Sequence, residues 1–133
     1  VRQISLGKID MGWHSAAIDN NIDVKEYEAA LVDGLDFYPE VKEACTSTSF
    51  SHIFQGGYSS GYYSYKWAEV LDADAFEAFK DAGIFDKEVA TRFKENILSA
   101  GGAEHPSILY KRFRGRDANP DALLKRAGLV ATK

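Results

Sequence analysis

One cysteine, one methionine and three prolines are all that this chain of 133 residues carries of those types. The single thiol, Cys45, excludes an internal disulfide and suits a reducing compartment, so the cytoplasm is the expected location. Apolar runs stop after a few residues. A membrane-spanning helix is therefore not expected, and no signal peptide is visible in the N-terminal VRQISLGKIDMGWHS. Basic blocks are missing too: 16 Lys and Arg are interspersed with 20 Asp and Glu, for a net charge of −4, which makes nucleic acid a poor partner. Period-two alternation is sustained nowhere, so strands are not expected. There is no internal repeat and no low-complexity segment.

What is present suits a globular protein. The hydrophobic share is 45% and the charged share 27%. The length fits a single domain over residues 1–133. The chain opens at Val1 with no initiator methionine, and a piece of a longer polypeptide is expected.

Helical spacing dominates. Ile4, Leu6, Ile9 and Trp13 predict a helix over residues 2–17. Asp23 reads as an N-cap, with Glu26 three residues on as its reciprocal partner. Val24, Tyr27, Leu31 and Leu35 then share one face, with Gly34 expected at or near the end of this helix. Residues 36–57 read as a long irregular connection, because Pro39 disfavours helix at Tyr38 and the Thr-Ser-Thr-Ser run competes for backbone hydrogen bonds. A helix is expected from Tyr58 to Ala82, stopped by Gly83. Asp86 caps the next, with Val89, Phe93 and Ile97 inward, ended by Gly101-Gly102. Pro106 opens another, with Ile108, Leu109 and Phe113 in the core. Asn119-Pro120 starts a last short helix carrying Leu123 and Leu124. The fold class is all-α, with about six helices and one long Gly/Tyr-containing loop.

Local spacing offers no complete metal site. His14, His52 and His105 are far apart, no HExxH occurs, and Cys45 has no nearby thiol. No G-x-S-x-G marks a serine nucleophile, and GGYSSG lacks the lysine of a phosphate-binding loop. Cys45 reads as a small buried hydrophobe. Arg112, Arg114 and Arg116 read as a solvated helix end.

The stretch SHIFQGGYSSGYYSYKW, residues 51–67, carries the chemistry. If a helix starts near Tyr58, then Tyr58, Tyr62 and Tyr65 fall at i, i+4 and i+7, in one stripe of phenols. Tyr63 and Trp67 face another side and are expected to pack. One reading of the stripe is an aromatic core face with hydroxyls at the surface. The other is a row of neutral hydrogen-bond donors, since a phenol has a reference pKa of about 10. Such donors suit an oxyanion formed in acyl transfer. Gly56 and Gly57 allow close backbone approach to a ligand, and His52 hangs just before them.

The string FSHIFQGGYSSGYYSYKWAEVLDADAF, residues 50–76, resembles the C-terminal region of the thimet oligopeptidase family of zinc metallopeptidases. The likeness is to its bacterial oligopeptidases and peptidyl-dipeptidases. It continues through GIFDKEVATRFKENILSAGG (83–102) and LYKRFRGRDANPDALLKRAGL (109–129), and back over RQISLGKIDMGWH. The pattern H-x-x-x-G-G-Y-x-x-G-Y-Y-x-Y is specific. The resemblance implies the C-terminal part of a mostly helical, two-lobed peptidase whose channel admits short peptides. It implies zinc held by an upstream HExxH helix and a downstream Glu, all absent here, so no zinc is expected on this chain alone. It implies that Tyr65 stabilises the oxyanion, that His52, Tyr58 and Tyr62 hold the peptide backbone, and that Gly56 and Gly57 form an adaptable loop. The partners implied are short peptide substrates and the upstream part of the same polypeptide. A stand-alone helical peptide-binding module without catalysis is the alternative from another class.

Overall fold

A computed structural model of the chain describes residues 1–35, 41 and 43–130. Among these residues there are helices and turns and no strands. The chain forms two compact units, Val1–Lys66 and Trp67–Lys133.

In the first unit, α1 (Arg2–Ser15) and α2 (Val24–Val32) pack closely. The approach needs Gly12, where a Cβ would meet the Leu31 side chain at 2.4 Å. Tyr27 donates its hydroxyl to the Gly12 carbonyl at 2.7 Å across the same contact. The expected cap is present: the Asp23 carboxylate accepts from the amides of Lys25 and Glu26.

The expected irregular connection is only partly so. Residues 36–40, with Tyr38 and Pro39, lie outside the described residues, as does residue 42. Beyond them stand two short helices, α3 (Thr46–Ser49) and α4 (Ser51–Phe54). The Thr-Ser run is helical because Glu28, on α2, supplies from a distance what local sequence does not. Its carboxylate accepts from the Thr46 amide at 2.8 Å and the Ser47 amide at 2.5 Å. Burial raises its pKa, but the bonds from Ser47, Thr46 and Cys45 outweigh that and hold it below its ordinary range. Cys45 is half-buried with its thiol on Glu28. The core of the unit is Ile9, Phe50 and Ile53, with Leu6, Trp13, Val32 and Tyr62 around it.

Helix α5 (Ser64–Ala82) begins in the first unit and continues in the second. There, α6 (Lys87–Phe93) is capped by Asp86, which accepts from the Val89 amide at 2.8 Å. A π-helical turn, Lys94–Leu98, prolongs it, closed by the Ser99 amide on the Lys94 carbonyl. α7 (Pro106–Arg114) has proline in its first turn and ends at Gly115, whose φ of 76° suits a residue without a Cβ. α8 (Asp121–Arg126) follows. Ala78, Val89 and Phe113 form the core, ringed by Ala75, Phe79, Phe93 and Ile97. Phe93 meets both Phe79 and Phe113 edge-on.

Two expectations fail in this unit. Ile108 is exposed, while Leu109 and Phe113 carry the buried face of α7. Of the three arginines expected in solvent, Arg112 and Arg116 are exposed and Arg114 is mostly buried. Arg114 and Arg116 converge on Asp74, a buried carboxylate of α5 that also accepts the Tyr110 hydroxyl at 2.7 Å. Arg112 instead pairs with Glu104, where both side chains are exposed.

Candidate substrate-contacting site

The six residues singled out in the sequence lie together in the first unit, but not as a helical stripe. α5 starts at Ser64, and residues 58–63 are turns. Three things stop a helix from forming at Tyr58. Ser60 adopts a φ of +56°, outside the right-handed region. The Ser59 hydroxyl donates to the Ile53 carbonyl. The amides of Ser60 and Tyr62 each donate at 2.8 Å to the carboxylate of Asp10, on α1.

The rings meet nonetheless. Gly61, Ser64, Tyr65 and Lys66 each donate to the carbonyl three residues back. Winding of that tightness brings side chains at i and i+3 over one another, and the Tyr62 and Tyr65 rings lie 5.0 Å apart. Tyr58 stacks on Tyr65 at 5.4 Å. The His52 ring lies 5.9 Å from both Tyr58 and Tyr62. Tyr62 is held from below by Phe50, edge-on at 4.8 Å. Tyr65 is 40% exposed and Tyr58 37%, so the cluster is an accessible aromatic face rather than a sealed core. Tyr63 and Trp67, expected to pack, are exposed.

The two glycines have local reasons. The amides of Gly56 and Tyr58 both close onto the His52 carbonyl. A Cβ at Gly56 would lie 2.9 Å from the His52 Cα and carbonyl oxygen, both backbone, so no side chain fits. Gly57 takes a φ of +77°, which favours glycine.

The electrostatics suit proton donation. The side-chain hydrogen bond with Tyr58, then partial burial and the neighbouring phenols, push the Tyr65 hydroxyl above its ordinary value, so it stays protonated at neutral pH. Among the described residues no group of three or more His, Cys, Asp or Glu is placed to hold a metal ion.

Sequence reasoning missed Asp10. The signal was present: a carboxylate beside Ile9 on the apolar face of α1, where a solvated residue does not belong.

The family model described as Peptidase family M3 matches residues 1–129. Oligopeptidase A of Escherichia coli (strain K12) is 42% identical over 130 residues, which cover 97% of this chain and 19% of that enzyme. The organellar oligopeptidase A, chloroplastic/mitochondrial, of Arabidopsis thaliana is 42% identical over 139 residues, covering 98% of this chain and 17% of the plant protein. The dipeptidyl carboxypeptidase of Escherichia coli is 33% identical over 129 residues, covering 95% and 19%. The chain therefore spans less than a fifth of the length of these relatives. With nearly every residue matched, the chain belongs to peptidase family M3.

Proposed function

We propose that the chain is the C-terminal part of a zinc metallopeptidase that hydrolyses short peptides, and that it supplies the groups on the substrate side of the scissile bond. Zinc would be held by the upstream part of the parent polypeptide, where it would supply Lewis-acid activation of a water. Tyr65 donates its hydroxyl to the oxygen of the scissile carbonyl as negative charge builds there. Tyr58, Tyr62 and His52 hold the peptide backbone, and the loop through Gly56 and Gly57 borders it.

The observation that carries this reading is the accessible cluster of three phenols and an imidazole, each phenol neutral at physiological pH. An oxyanion is stabilised by a donor that is fixed in advance and keeps its proton. Large apolar side chains left in solvent, with Phe85 94% exposed, fit a chain whose neighbouring surface is provided by the rest of the parent. Membership of a peptidase family favours this role over a stand-alone binding module. Cys45, bonded to Glu28 as a free thiol, suits a reducing compartment, and we place the parent in the cytoplasm.

The test is Tyr65→Phe in the full-length, zinc-loaded peptidase. Loss of one oxyanion donor lowers kcat by about 10²–10³-fold, with a smaller change in KM. An unchanged kcat removes Tyr65 from the chemistry.

A further inference from the structure

Asp10 has no solvent exposure and no place in the peptidase reading above. Its two oxygens are directed at the turn that carries the phenols. Oδ1 accepts from the Ser60 amide at 2.8 Å and from His14 Nδ1 at 2.9 Å, and Oδ2 accepts from the Tyr62 amide at 2.8 Å. His14 Nδ1 also lies 2.8 Å from the Asp10 carbonyl. Both of its neighbours are oxygens, so Nδ1 bears the hydrogen, and the imidazole orients the carboxylate from the helix side.

The turn needs this support. Ser60 sits in the left-handed region at a φ of +56°, a conformation that L-residues rarely adopt. Tyr58 and Tyr65 are exposed and gain little from burial, while Tyr62 packs on Phe50 at the edge of the core. Their positions follow from the backbone beneath them. Tyr62 hangs by its amide on α1, and its ring bears on Tyr65 and His52.

We propose that Asp10 is a positioning residue for the peptide-hydrolysing site: by holding the Ser60 and Tyr62 amides it sets the Tyr58–Tyr62–Tyr65 cluster in its working geometry. The proposal rests on the reading of Tyr65 as the oxyanion donor. An ordinary buried carboxylate would support folding alone, and a double-mutant cycle separates the two roles. Asp10→Asn keeps the shape but replaces one acceptor oxygen with a nitrogen that cannot accept, so one amide of the turn is released.

The measurement is kcat and KM of the full-length, zinc-loaded peptidase as Asp10→Asn, Tyr65→Phe and the double variant. We expect Asp10→Asn to lower kcat by about 10²-fold, the loss that follows from misplacing a reacting group by about 1 Å. The double variant should be little slower than Tyr65→Phe alone, because a misplaced donor and a missing donor are the same defect. Multiplying effects, or an unaffected Asp10→Asn beside a slow Tyr65→Phe, overturn this proposal alone. An unchanged Tyr65→Phe overturns the oxyanion reading and this proposal with it. Should Asp10→Asn fail to fold, amide hydrogen exchange in the unaltered enzyme decides. The Ser60 and Tyr62 amides should exchange at least about 10²-fold more slowly than in a free peptide, and free-peptide rates there overturn the proposal.

Discussion

Replacement of Asp74 by alanine should unfold the second unit far more readily than its place on a helix surface suggests. Asp74 is 1% exposed. Arg116 donates to its Oδ1 at 2.6 Å and its Oδ2 at 3.2 Å, the Tyr110 hydroxyl reaches Oδ2 at 2.7 Å, and Arg114 Nε stands 3.5 Å away. Burial alone would raise the pKa of this carboxyl, but the bonds from Arg116, Tyr110 and Arg114 more than reverse it and hold the group ionised. Asp74→Ala leaves the Arg114 side chain, 12% exposed, as a buried charge with its partner gone. Arg116 is 46% exposed and can turn to water. The Tyr110 hydroxyl falls back on the Leu71 carbonyl, 3.3 Å away. Breaking a buried pair in this way costs about 3–5 kcal/mol. With an m-value of about 1–3 kcal/mol/M, the urea midpoint read by circular dichroism should drop by about 1 M or more. Glu104→Ala is the control. It also breaks a two-bond pair with an arginine, Arg112, but one that lies in solvent, and it should leave the midpoint in place. Equal shifts for the two variants would refute burial as the source of the effect.

Acid should act through the same residue. The folded pKa of Asp74 lies below its unfolded value, so its contribution is complete above about pH 4 and is lost as the pH falls from there through the folded pKa; Asp74→Asn should flatten the stability–pH curve in that window. Asp86→Ala removes the side-chain cap on the Val89 amide and should cost about 1 kcal/mol in the same urea assay. Gly56→Ala forces the His52 backbone aside and should raise KM for peptides in the full-length peptidase, while a KM equal to that of the unaltered enzyme would show that the loop tolerates the added methyl group. Gly57→Ala places a Cβ at a φ of +77° and should destabilise by about 1–2 kcal/mol without a clash.

Most of the helical framework can be read from residues near in sequence. Asp23 and Asp86 cap where their spacing predicts, Pro106 opens α7, and Gly83, Gly115 and Gly128 take positive φ at or just past helix ends. The departures share one cause: side chains from distant segments. α3 forms over Thr46–Ser49 with Glu28 accepting from the Thr46 and Ser47 amides, and residues 58–63 are not helical because Asp10 accepts from two of theirs. Arg114 looked solvated, and the bond from Arg116 went unseen, because nothing within a helical turn of them shows a buried acid 40 and 42 residues away. The aromatic cluster was legible as a set of residues and illegible as a geometry. A helical stripe and a tight turn both bring Tyr58, Tyr62 and Tyr65 together, and only the turn stacks Tyr58 on Tyr65.

An accessible site poses a physical conflict for a helical chain of this kind. On the proposed reading, the rings that touch a substrate stay partly open, yet donors that move lose most of their value to a transition state. Here rigidity comes from behind. Phe50 and Ile53 are buried directly beneath the loop, the Gly56 backbone lies too close to His52 for any side chain, and the turn under the rings hangs on a carboxylate. A carboxylate is well suited to that task, because it accepts several amides at once and each charged bond is worth about 1.5–3 kcal/mol. The Phe50–Tyr62 contact holds one ring from the core side, and the carboxylate holds the backbone that carries the cluster.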